Sequence, residues 1–154
     1  MTAERIQDSI EVAAPPEAVW AVVSDLRRMG EWSPQCRRMY VLGGDVRRGT
    51  RTFNLNHRGW LRWPTTSRVV VFEPEREVAF RIAQNRMIWT FALEPTATGT
   101  RVTESRTMPD GSGRASALLV QHLLGGTEEF EQELADGIAS TLARIKTEVE
   151  RAAS

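Results

Sequence analysis

The chain has 154 residues, balances 20 basic against 20 acidic side chains, and contains no apolar run near the ~20 residues a bilayer-spanning helix needs. That length suits one domain, residues 1–154, able to bury a core without staples, and the zero net charge argues against a nucleic-acid binder. Cys36 is the only cysteine, which excludes an internal disulfide and fits a reducing compartment.

The first ten residues, MTAERIQDSI, lack the apolar core of a signal peptide, so a cytoplasmic protein is expected. Lys146 is the only lysine; the other basic residues are arginines, with pairs at Arg27-Arg28, Arg37-Arg38 and Arg47-Arg48. Acids are spread through the same chain, so these arginines are expected to be solvated surface.

In chain order, Ile6, Ile10 and Val12 alternate in RIQDSIEV and predict a first strand. Pro16 suits the first turn of a helix carrying Val19, Val22, Val23 and Leu26 on one stripe. Ser24 or Asp25 can cap a second short helix that ends near Gly30. Pro34 stops helical structure and starts the strand QCRRMYVL, and Gly43-Gly44 is a turn. Further strands follow. TRTFNLNH puts Phe53, Leu55 and His57 in phase, and WPTTSRVVVF puts Trp63, Thr65, Ser67, Val69 and Val71 in phase. EVAFRI aligns Val78, Phe80 and Ile82, RMIWTFALEP aligns Met87, Trp89, Phe91 and Leu93, and TRVTESRTM is the last strand. After the loop PDGSG, the apolar RASALLVQHLL reads as a short helix broken by Gly125-Gly126. The last helix carries Phe130, Leu134, Ile138, Leu142, Ile145 and Val149 as an inner stripe about five turns long. Strands that alternate in this way are antiparallel with one solvated face. The stripe of the last helix is buried most simply if a curved sheet wraps around it.

That order, and the segments APPEAVWAVVSD, EWSP, GTRTFNLNHRGWLRWPTTSRVVVFEP, WTFALEPTATGTRVTES and LARIK, resemble the SRPBCC (START-like, helix-grip) superfamily, in particular its polyketide cyclase/dehydrase-like branch. The resemblance covers nearly the whole chain. It implies an α+β helix-grip fold: a seven-stranded antiparallel curved sheet around a long C-terminal helix, with two short helices after the first strand. It also implies an internal cavity between sheet and helix. It does not fix an activity, because one fold hosts many functions.

Several residues invite a role in such a cavity. Trp63 and Trp89 share faces with inward residues and are either plain core or pocket wall. Trp20 reads as core, Trp32 sits at a helix-to-strand corner, and Trp60 follows Gly59 in a hairpin as rim. His57 is either a general base or ligand partner, or a half-buried histidine bonded to backbone; His122 reads as surface. Two distant histidines and one cysteine without H-E-x-x-H or C-x-x-C spacing give no metal site, and no cofactor is expected. On the last strand Arg101, Thr103, Ser105 and Thr107 form a polar row, which assigns Val102, Glu104, Arg106 and Met108 to the inner face. A buried charge is costly unless paired, so Glu104 and Arg106 either pair directly or meet through a ligand. Asp8 is in phase with Ile6, and the resemblance places first and last strands side by side, where Asp8 could reach Arg106. The alternative is a β-bulge after Val102 that turns the charges to water.

The expected function is binding of a small, largely apolar molecule, lipid- or polyketide-like, by a monomer or homodimer. Phe53, Leu55, His57, Trp63, Met87, Trp89 and Phe91 would form the wall and Glu104 with Arg106 the polar anchor. Two alternatives stand beside it. One is a polyketide aromatase/cyclase or dehydratase, with Glu104, Arg106 and His57 as catalytic candidates. The other is a protein-interaction module, which would show an exposed apolar patch and no closed cavity. Glycines at both ends of residues 109–124 predict a lid over the cavity mouth.

Overall fold

The first strand, β1 (Arg5–Val12), runs into α1 (Pro16–Val23), a 3-10 turn (Leu26–Arg28) and α2 (Met29–Trp32). Six strands follow: β2 (Cys36–Leu42), β3 (Arg51–Arg58), β4 (Leu61–Glu73), β5 (Glu77–Ile82), β6 (Ile88–Pro95) and β7 (Thr100–Thr107). The long helix α3 (Thr127–Ala153) comes last. The structure, a computed structural model, describes residues 5–108 and 127–153. The expected short helix and lid at 109–124, His122 among them, lie outside the described residues.

The seven strands form one antiparallel sheet in the order β1-β7-β6-β5-β4-β3-β2, so the chain's first strand pairs with its last. This is the helix-grip α+β arrangement. α3 lays Leu134, Ile138, Leu142, Ile145 and Val149 into the sheet's concave side, and all five are buried. Val19, Val22 and Val23 of α1 and Val12, Val69, Val78, Phe91 and Val102 of the sheet complete the core. The helical 3.6-residue stripe and the two-residue strand alternation meet there, each supplying one apolar face.

Pro15 caps α1 and Pro16 occupies its first turn, as its fixed φ favours. Neither Ser24 nor Asp25 caps the next turn with its side chain. The Ser24 hydroxyl instead donates back to the Trp20 carbonyl at 2.6 Å. Polar ties fix α3 over the sheet. Glu150 Oε2 accepts from the Ala13 amide at 2.8 Å, and Lys146 Nζ donates to the Glu11 carbonyl at 2.7 Å. Arg28 joins Glu31 and Glu148, tying the α2 region to α3, and its guanidinium lies 4.9 Å from the Trp32 ring centroid. Arg58 at the end of β3 holds Glu133 on α3.

Gly99, in the β6–β7 turn, is required by proximity. A Cβ there would sit 2.0 Å from the Val12 carbonyl oxygen. The adjoining Thr100 hydroxyl donates to the Ala14 carbonyl at 2.8 Å, so this turn is fastened to the chain leaving β1.

One strand departs from expectation. Phe53 and Leu55 are 39% and 36% exposed, while Thr52 and Asn54 are buried. The apolar face of β3 therefore points outward and its polar face inward. His57 shares the outer parity with Phe53 and Leu55, is half-buried, and its backbone amide donates to the Gln35 carbonyl at 2.8 Å. The cause is the two-residue connection Gly59-Trp60 between β3 and β4, which pairs Asn56 with Trp63, Asn54 with Thr65 and Thr52 with Ser67. Directly opposed residues share a face. With Trp63, Thr65 and Ser67 inside, Thr52, Asn54 and Asn56 must follow.

Candidate functional site: a half-polar cavity around Glu104

A cavity of about 120 Å³ lies between the sheet and the N-terminal half of α3. Its apolar wall is Met39, Trp63, Phe80, Ile82, Met87 and Trp89 from the sheet side, with Phe130 and Leu134 from α3 and Met29 from α2. Its polar wall is Asn54 and Asn56 of β3, Thr65 of β4, Gln35, Cys36 and Asn85, with Glu104 of β7 on the far side.

The β3–β4 wall is internally bonded. Asn54 Nδ2 donates to Thr65 Oγ1 at 3.2 Å, and Asn56 Nδ2 donates to the same oxygen at 2.9 Å. The Thr52 hydroxyl donates to Asn54 Oδ1 at 2.7 Å and also hydrogen-bonds Ser67. This network lets a polar strand face sit inside the protein, because buried polar groups are tolerated when hydrogen-bonded.

Glu104 is different. It is 5% exposed and stands opposite Phe91 on β6 and Asp8 on β1. Its Oε1 meets no hydrogen-bond donor among the described residues. Burial pushes its carboxyl well above the usual carboxylate range. Withdrawing a carboxylate from water favours the neutral form, so Glu104 holds its proton more tightly than an exposed glutamate does. A direct ion pair would have held it down instead.

Arg106 is fully buried, opposite Trp89 and Ile6. Burial lowers its ordinary value, and the charge of Glu131 on α3 opposes that. Asp8 stands opposite Glu104 rather than Arg106 and is exposed on the edge strand, so the expected Asp8–Arg106 approach does not form. The ladder of β7 runs unbroken from Thr100 to Thr107 on both sides, with no bulge after Val102. Ser105, on the opposite parity, is itself buried.

Of the residues singled out from the sequence, the fold gathers Trp63, Met87, Trp89 and Glu104 around the cavity. Phe91 and Arg106 are buried outside its lining, and Phe53, Leu55 and His57 lie on the other side of the sheet. Trp60 is 86% exposed at the hairpin tip, and Trp20 packs against Phe72 with ring centroids 5.3 Å apart. Asn54, Asn56 and Thr65 form the wall that reading by hydrophobic phase missed. The signal was present in the short Gly59-Trp60 hairpin, which couples the facing of β3 to that of β4.

Cys36 lines the cavity, but burial pushes its thiol up to about 11, so it offers no thiolate nucleophile at neutral pH. Among the described residues no three His, Cys, Asp or Glu side chains converge as a metal site, and no helix is long and apolar enough to cross a membrane.

A family model described as polyketide cyclase/dehydrase and lipid transport matches residues 3–150. No curated protein matches the chain. Among solved structures, the polyketide-cyclase-like protein Cgl2372 of Corynebacterium glutamicum is 28% identical with a TM-score of 0.67, the match covering 95% of this chain and 91% of that one. The di-domain ARO/CYC protein StfQ of the steffimycin biosynthetic pathway shares 15% identity at a TM-score of 0.74, over 97% of this chain and 51% of its own. DR_A0006 of Deinococcus radiodurans shares 17% at 0.69, over 96% and 98%. The last two likenesses are of fold.

Proposed function

The chain belongs to the polyketide cyclase/dehydrase and lipid-transport family, and from that premise we propose that it holds one small, largely apolar organic molecule between its sheet and α3. The apolar body rests on Trp63, Met87, Trp89 and Leu134, and a neutral oxygen group of the ligand meets Glu104. The observation that carries this reading is the Glu104 carboxyl itself, buried at the cavity wall with Oε1 unsatisfied among the described residues. A buried polar atom without a partner is costly. A ligand hydroxyl donating to Oε1, or a carbonyl accepting the carboxyl proton, removes that cost. The cavity is smaller than the ~300–1,000 Å³ common for ligand pockets. Met29, Met39 and Met87 are the unbranched side chains whose rearrangement makes room.

Native mass spectrometry of freshly purified protein, followed by NMR titration with 2-naphthol as a neutral probe, tests the reading. Expected are a bound mass or cavity-centred shifts at Trp63, Trp89 and Glu104, weakened in Glu104→Leu. No bound mass together with no shift at these residues sinks it.

A second reading, an aromatase/cyclase or dehydratase, is favoured by the same buried carboxyl, whose proton burial holds more tightly. Glu104 can protonate a carbonyl oxygen, or a departing hydroxyl that leaves as water. Incubation with a linear poly-β-ketone thioester separates the readings: cyclised or dehydrated product that disappears in Glu104→Gln supports the enzyme, and unchanged substrate supports the carrier.

A further inference from the structure

The convex face of the sheet, across from the cavity, carries a row of like charges. Arg51 of β3 stands directly opposite Arg68 of β4, and Arg68 stands directly opposite Arg81 of β5. All three are exposed, and none makes an ion pair with a carboxylate among the described residues. Like charges directly opposed across a ladder destabilise a sheet, so this row costs stability and returns none within the chain. Arg86, in the β5–β6 turn, joins the same groove, of about 560 Å³. It is held at φ 64°, a left-handed backbone that arginine adopts only under strain. Strand by strand, the neighbouring row is aromatic. Tyr40 stands opposite Phe53, with ring centroids 6.4 Å apart, and both rings are exposed. Residues two apart on a strand are about 7 Å apart, so the aromatic pair lies beside the arginine row at a distance that a sugar bridges.

We propose that this outer groove binds a soluble nucleoside polyphosphate, its phosphates on Arg51, Arg68, Arg81 and Arg86 and its base on Tyr40 and Phe53. Guanidinium forks match phosphate oxygens in pairs, and three forks in register suit a chain of phosphates better than a single charge. Exposed aromatic faces beside arginines stack bases without sequence preference. The site is separate from the cavity and does not depend on what the cavity holds.

Isothermal titration with inorganic pyrophosphate and with ADP tests it, using wild type, Arg68→Gln and Phe53→Ser. Wild type is expected to bind both, ADP more tightly. Arg68→Gln weakens both roughly tenfold, the scale of a charge-assisted hydrogen bond, while its ligand-free melting temperature holds or rises because a like-charge contact is gone. Phe53→Ser weakens ADP and leaves pyrophosphate unchanged. The proposal is overturned if neither ligand binds at millimolar concentration, if Arg68→Gln binds as wild type, or if the protein associates with phosphatidic-acid vesicles in an Arg68-dependent way while ignoring both soluble ligands.

Discussion

Asn54 stands directly opposite Thr65 on the neighbouring strand, and its amide donates to the Thr65 hydroxyl at 3.2 Å inside the protein. The next residue in sequence order before it, Phe53, points to solvent. Asn54→Leu should therefore destabilise the protein by about 1–3 kcal/mol, the cost of stranding buried hydrogen-bond partners. Phe53→Ser on the other face should cost less than about 1 kcal/mol, as surface changes usually do. Urea unfolding of the two variants checks the ordering; a larger loss for Phe53→Ser would contradict the facing of β3.

Glu104 gives stability a pH dependence of unusual sign for a carboxyl group. Its folded value is raised, so the folded protein holds the proton more tightly than the unfolded chain does. Its contribution is complete below the unfolded value of ~4.3 and is lost as pH rises through the folded value. Wild type should lose stability from mildly acidic pH upward, and Glu104→Gln, which cannot ionise, should lose less over the same range. Denaturation midpoints of both proteins at a series of pH values provide the measurement.

Arg28 predicts the opposite slope at acid pH. Its hydrogen bonds hold Glu31 and Glu148 below the ordinary carboxylate range. That contribution is present above the unfolded carboxyl value of ~4.3 and is lost as pH falls through the folded values. Arg28→Gln should flatten the acid limb of the stability curve and leave the limb due to Glu104 in place. An acid limb as steep as that of wild type would assign acid sensitivity to other carboxylates.

Gly99→Ala should cost about 1–3 kcal/mol, the usual range for overpacking, because the new Cβ meets the Val12 carbonyl oxygen at 2.0 Å. Gly44→Ala, with nothing within 4 Å of the added atom, is the control and should be nearly silent. Thermal melts of both variants decide whether the β6–β7 turn is clamped to the end of β1.

The seven strands, their antiparallel sense and the buried stripe of α3 were legible because periods of two and of 3.6 residues leave different marks. Glu104 and Arg106 were legible too, since the polar row Arg101-Thr103-Ser105-Thr107 left them only one side of β7. Phe53 and Leu55 misled because hydrophobic phase was read one strand at a time. Facing in a sheet is a property of pairs, and the partner strand put Thr65 and Ser67 inside. The Asp8 contact failed on register: proximity of β1 to β7 is visible from the resemblance, but which residues stand opposite is set by the ladder.

The two-residue link Gly59-Trp60 acts as a parity device. Adding or removing one residue there slips β3 by one step against β4, and a one-residue slip exchanges the two faces of a strand. Phe53 and Leu55 would then turn into the chamber, and Thr52, Asn54 and Asn56 would turn out to water. Relatives whose hairpins differ by a single residue can thus have the same backbone outline around chambers of opposite polarity, an oily one and a hydrogen-bonding one, with no substitution in either wall.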